Sequence, residues 1–155
     1  MDIQSNVLFK LTDVLRGTHN NEWDVLRLLE NSPWLVLSGS HYFETETPES
    51  TYDFFISSKH MGDKMMTRLN DLGFELYCEP SAYDNDPSTL YVLRYHGSIT
   101  IIIQVVLEGW FEKKLEARML LKNAYRDCKL AMRYLTEEQI GMIWVDLMNH
   151  KGPYG

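Results

Sequence analysis

The chain has 155 residues, 45% of them hydrophobic, and a formal net charge of −7. That length suits a single domain, 1–155, with a sizeable core. The acidic balance argues against nucleic-acid binding through the whole surface but leaves room for a local basic site. Cys78 and Cys128 are isolated, with no Cys-x-x-Cys, and fit a reducing cytoplasm. Met1 to Arg16 carries acidic residues and no apolar block, so no signal peptide is expected. No run approaches membrane-spanning length. His19, His41, His60, His96 and His150 show no metal-ligand spacing.

In chain order, Ile3, Val7, Leu8, Leu11 and Leu15 recur at helical spacing, and Gly17 ends that helix. Asn21 caps a second helix with Trp23, Leu26 and Leu29 on its inner face. After the Asn31-Ser32-Pro33 break, Trp34 to Leu37 and Tyr52 to Ile56 have strand composition. Lys59 to Leu72 reads as a helix with Met61, Met65, Leu69 and Leu72 inward, stopped at Gly73. Its methionines read as core filling. Phe74 to Cys78 reads as a third strand, and Glu79 to Ser88, rich in Asp, Asn and Pro, as an exposed loop.

Thr89 to Tyr95 and Ser98 to Leu107 read as a hairpin turning at His96-Gly97. The nearly unbroken apolar run Ile99 to Val106 implies a central strand covered on both faces. Trp110 to Leu135 is helical, as one helix or two. Thr136-Glu137-Glu138-Gln139 is a capping box that starts a last helix running to about Asn149. The sheet core thus falls at about 33–107 and the C-terminal helical segment at about 110–149. The fold class is α+β.

Chemistry-bearing residues concentrate between Gly39 and Asp53. Gly39-Ser40 follows the first strand, and Thr51 and Asp53 share one face of the second by period-two alternation. This layout resembles the nucleotidyltransferase fold of the polymerase-beta superfamily, in its small stand-alone phage and bacterial form, over roughly residues 33–107. That family carries a Gly-Ser pair after one strand and two aspartates, one residue apart, on the next. Small members often add a second glycine, which falls at Glu44, and a serine, which falls at Ser50. The aspartate positions fall on Thr51 and Asp53. The resemblance implies a mixed sheet with packed helices. It also implies a nucleotide-phosphate contact at Gly39 and Ser40, for which a strand-to-helix turn with Ser40 as cap is the bland alternative.

The departures are equally specific. Two-metal nucleotidyl transfer needs carboxylates to hold two Mg²⁺ ions about 3.5–4 Å apart. Thr51 replaces one carboxylate. The third belongs on a later strand that in similar members reads Asp-Val-Gln-Leu-Val; here the segment is Ile102-Ile103-Gln104-Val105-Val106, so Ile102 takes the aspartate position. Many relatives have Arg after Gly-Ser, where this chain has His41. Asp53 at most remains as a metal ligand, and Thr51, Asp53, Ile102 and Gln104 are vestiges of a catalytic set. Glu44, Glu46 and Glu49 read as a solvated loop.

Charge is uneven. Up to Glu108 there are 7 basic and 16 acidic side chains; from Gly109 there are 8 basic and 6 acidic. Lys114, Arg118, Lys122 and Arg126, four apart, make a stripe on one helical face, with Lys129 and Arg133 continuing it. The stripe is either a partner-binding face or a solvated face opposite Leu115, Met119, Leu120 and Leu130. Its partner would be a protein, RNA or DNA, or the acidic half of another copy in a homo-oligomer. The leading expectation is a catalytically degenerate, cytoplasmic nucleotidyltransferase-like protein of phage type. It would bind a macromolecular partner in the host cytoplasm and need no cofactor. The alternatives are an active transferase using Mg²⁺ and a nucleoside triphosphate, with Asp53 joined by Glu49 or Glu108, and a nucleotide-binding sensor.

Overall fold

The computed structural model describes Val25, Leu29, residues 31–77 and residues 86–150. The helix expected over Ile3 to Leu15, most of the helix capped at Asn21, Cys78 and the segment 79–85 lie outside them.

Among the described residues, five strands form one sheet: β1 (Val36–Ser38), β2 (Tyr52–Ser57), β3 (Glu75–Leu76), β4 (Thr89–His96) and β5 (Thr100–Val106). Their order across the sheet is β1-β2-β5-β4-β3. Among the described residues, only the β2–β5 pairing is parallel. The helices are α1 (Gly39–Phe43), α2 (Asp63–Asp71), α3 (Phe111–Asp127), α4 (Lys129–Arg133) and α5 (Glu137–His150), with a 3-10 turn at Ser58–His60. The architecture is therefore α+β, a five-stranded mixed sheet with packed helices. Among the described residues, no helix is long and apolar enough to cross a membrane.

β5 is central, as its composition requires, and every residue from Ile101 to Val106 is buried. Alternation divides its side chains between two layers. Ile101, Ile103 and Val105 join Leu37, Phe54, Ile56, Leu93 and Tyr95 in a core that also takes in Val25, Leu29, Leu69, Leu72 and Phe74. Met65 packs at its margin, as the helical spacing predicts; Met61 packs there too, but it lies before α2, which starts at Asp63 rather than at Lys59. Gly73, at φ +103, is the helix stop. The opposite sheet face carries Asp53, Phe55, Ile102 and Gln104, and receives α3 and α5. Phe55 meets Phe111 edge-on at 5.5 Å, and Ala117, Leu121 and Met148 are buried.

The helical stretch after the sheet breaks at Cys128 into α3 and α4. The capping box forms as read. Thr136 N–H donates to Gln139 Oε1 at 2.9 Å, and Gln139 N–H donates to Thr136 Oγ1 at 3.1 Å.

A β-bulge in β4 positions the side chains of the second layer. Tyr91 pairs with Val105, but Thr89 pairs with Val106, so Leu90 is the extra residue and is half exposed. Without the bulge, Thr89 would point into the apolar core. With it, Thr89 shares the face of Gln104, and its Oγ1 accepts a hydrogen bond from Gln104 Nε2 at 2.7 Å.

Candidate functional site

A cleft of about 390 Å³ opens on the second sheet face, between the ends of β1 and β2, β5, α3 and α5. It brings together Gly39, Thr51, Asp53, Gln104 and Lys114, five residues singled out by sequence, with Asp86, Glu137 and Trp144, which were not.

Its rim is built by β1, α1 and β2. Ser38 and Asp53 are direct partners across the antiparallel pair. The chain then turns through Gly39 at φ +68, a conformation that favours glycine. A Cβ on Gly39 would lie 2.3 Å from Asp53 Oδ2, so the turn also needs glycine for space. Thr51 Oγ1 donates to both Asp53 carboxylate oxygens, at 3.0 and 3.1 Å. Ser40 lies inside α1 rather than capping it; the cap position is Ser38, which makes no side-chain cap hydrogen bond. His41 stacks on Tyr52 at 3.9 Å. Tyr52 and Asp53 alternate on β2, so His41 is held on the side away from the cleft.

Asp53 pairs in register with Ile102 on the parallel strand β5, and Ile102 is 5% exposed. No carboxylate stands beside Asp53 at that position. Glu49 is exposed, Glu108 lies past the end of β5, and neither lines the cleft.

The floor is a buried ionic cluster, and here two expectations are corrected. Composition predicts an exposed loop ending at Ser88, yet Asp86 and Ser88 are buried, at 5% and 0% exposure. Spacing predicts Lys114 on a surface stripe, yet it is 2% exposed. The two side chains account for each other: Lys114 Nζ lies 2.8 Å from Asp86 Oδ2. Trp144 Nε1 and Gln104 Nε2 donate to the same oxygen at 3.1 and 3.2 Å. Ser88 N–H and Oγ donate to Asp86 Oδ1 at 2.9 and 2.6 Å. Every group facing Asp86 in this cluster is a donor, which fits the ionised carboxylate.

Burial pushes the Asp86 carboxyl up, but the Lys114 charge and the hydrogen bonds from Lys114 and Ser88 outweigh it and hold the carboxyl at about 2. Burial pushes the Lys114 ammonium down, opposed by Asp86 and, beyond it, by the charge of Asp53. The Lys114 ammonium also lies over the Trp144 and Phe55 rings, 4.6 and 5.3 Å from their centroids.

The remaining basic residues follow from this rotation of α3. Lys114, Ala117 and Leu121 face inward, while Met119 and Leu120 are exposed, so the face expected to be apolar points outward. Arg118 and Lys122 reach along the buried side and donate to the backbone carbonyls of Leu37 and Tyr42, the latter at 2.7 Å. Their charged groups sit over the Tyr42 ring, at 4.1 and 4.3 Å from its centroid. Only Arg126 of the four is exposed, paired with Asp127 at 2.9 Å. A second, larger groove of about 1050 Å³ gathers Lys122, Arg126, Lys129 and Arg133 around Phe43 and Tyr125, with Glu44 on its edge.

Glu44 marks the place where the resemblance expects a glycine. It is exposed and takes φ 61, ψ 38, the left-handed region, at the end of α1. The conformation is glycine-like although the residue is not. Glu44→Gly is expected to raise stability by about 0.5–1 kcal/mol, the left-handed strain relieved less the added chain entropy of glycine. Thermal melting should show this as a rise of about 1–4 °C.

Gln104 is the residue whose signal was most open to reading. One amide in an otherwise apolar central strand requires buried partners, and those partners are Asp86 and Thr89. No family model, no curated protein and no solved structure matches the chain.

Proposed function

We propose that this protein is a nucleotidyltransferase-like domain that has lost two-metal transfer and acts by binding a macromolecular partner. The observation that carries the reading is the pairing of Asp53 with Ile102, beside a cleft whose cation is a lysine. Gly39 just after β1, Asp53 on β2 and Ile102 on β5 come in the order the resemblance implies. The left-handed Glu44 fits the same frame. Where two metal ions would need several carboxylates, Asp53 has Thr51 and Ile102 as neighbours, and Lys114 supplies positive charge from within the chain. Asp53 and Glu137 line the cleft, but the third carboxylate there, Asp86, is already engaged by Lys114, Gln104 and Trp144. A nucleotide sensor would need donors for phosphate, and Lys114, Trp144 and the Gln104 amide already donate to Asp86.

The binding surface on this reading is the groove of Lys122, Arg126, Lys129 and Arg133, not the stripe that sequence spacing implied. It concentrates positive charge on a chain of net charge −7 and has aromatic walls. The partner is a protein presenting an acidic surface, and a second copy of this acidic chain is one such surface. Arg126, Lys129 and Arg133 are exposed and can be reversed to Glu without disturbing the core. The partner recovered with the wild-type protein should be lost in the reversed variant, with the melting temperature held. Recovery should also weaken as salt shortens the Debye length below about 8–10 Å. An unchanged partner would remove the groove from the account.

A further inference from the structure

We infer that the cleft at Asp53 is a binding site for an organic cation, an ammonium or guanidinium group on a short carbon stem. The inference stands on the cleft alone and is independent of the partner assigned to the groove.

Lys114 Nζ, Trp144 Nε1 and Gln104 Nε2 all donate to Asp86, and Thr51 Oγ1 donates to Asp53. One acceptor is not used in the same way. Gln104 is 1% exposed and lines the cleft, and its Oε1 is buried with no hydrogen-bond partner. Rotating the amide gives no relief, because it would turn Oε1 onto the Asp86 carboxylate in place of the donor now there. A buried carbonyl oxygen left unpaired is destabilising. A ligand that donates to it removes that cost.

Charge points the same way. Asp53, Asp86 and Glu137 carry three negative charges around the cleft against the single positive charge of Lys114. A phosphate or carboxylate would enter a cleft holding three carboxylates against one ammonium, and that ammonium is already paired with Asp86. A metal ion is a poor fit to the donor set: among the described residues, no group of three His, Cys, Asp or Glu could hold one. An organic cation fits. Its N–H groups reach Gln104 Oε1, Asp53 and Glu137, and its carbon stem lies against Phe43, Leu121 and Ile140.

Titration calorimetry of the full chain with n-butylammonium, agmatine and acetylated arginine amide tests this. The first two are free cations and the third stands for a basic side chain on a partner. The arm that binds more tightly identifies the source. Expected is saturable binding of at least one, about tenfold weaker in Glu137→Gln and in Asp53→Asn, since each loses a charge-assisted hydrogen bond. Tetramethylammonium, which has the charge but no donor, should bind more weakly than n-butylammonium. Glu137 is exposed in the first turn of α5, so its variant is expected to keep the wild-type melting temperature and remains readable if Asp53→Asn does not fold. No saturable binding of any cation overturns the inference. So does binding that neither variant weakens, or tighter binding of inorganic phosphate than of the amines.

Discussion

Lys114→Met is expected to be the most damaging single change to the cleft, costing about 3–5 kcal/mol at neutral pH. Methionine keeps the stem volume but removes the ammonium, leaving the Asp86 carboxylate at 5% exposure without its counter-charge. Ser88, Gln104 and Trp144 still donate to it, but none carries charge. The pH dependence separates this cause from simple loss of packing. In the wild-type protein Asp86 is held at about 2, against an ordinary value of 3.8. A carboxyl lowered by folding stabilises the native state above the unfolded value and loses that contribution as pH falls through the folded one. About 2 kcal/mol should therefore fade between roughly pH 4 and pH 2. Without Lys114, burial raises the Asp86 carboxyl instead, so protonation relieves the variant. Urea unfolding of both proteins should show a gap that is widest near neutral pH and narrows in acid. A gap independent of pH would mean that the lysine acts through its stem alone.

The second large effect is expected at Gly39→Ala. The new Cβ would lie 2.3 Å from Asp53 Oδ2 and 2.9 Å from Asp53 Cβ and Cγ, on a residue at φ +68. Left-handed strain of about 1–2 kcal/mol adds to overpacking of about 1–3 kcal/mol. The melting temperature should fall by about 4–20 °C. Gly141→Ala supplies the opposite sign. It lies inside α5 with nothing within 4 Å of the added methyl, and should stabilise by about 0.5–1 kcal/mol. If Gly39→Ala melts with the wild-type protein, the close approach of β1 to Asp53 is wrong.

The sheet was legible in the sequence because local signals and tertiary placement agree there. Ile101 to Val106 is too uniformly apolar for an edge, and it is the central strand. Thr136 and Gln139 form the box their spacing announces. The site was legible on its rim, where Gly39, Thr51 and Asp53 lie close in sequence. It was not legible on its floor. Asp86 and Lys114 are 28 residues apart, and each resembles a surface residue in its own neighbourhood. Asp86 follows Asp84 and Asn85 in a polar loop, while Lys114 begins a run of basic residues four apart. Helical spacing fixes which residues share a face, but not which face turns inward. Here the paired charge at Asp86, the carbonyls of Leu37 and Tyr42 and the rings of Phe55 and Tyr42 draw the basic face inward, against the hydrophobicity of Met119 and Leu120. The bulge at Leu90, which turns Thr89 toward Gln104, has no glycine or proline at the bulge to announce it.

On the proposed reading, Lys114 supplies the positive charge of a cleft that does not assemble two metal ions around a nucleotide. Melting of the 155-residue protein across a titration of Mg²⁺ or Mn²⁺ with each nucleoside triphosphate is the decisive measurement. A ligand at one hundred times its dissociation constant would add about 2.7 kcal/mol, a rise of several degrees. No saturable rise is expected with any metal–nucleotide combination. A saturable rise in the wild-type protein that Asp53→Ala abolishes would contradict the proposed reading.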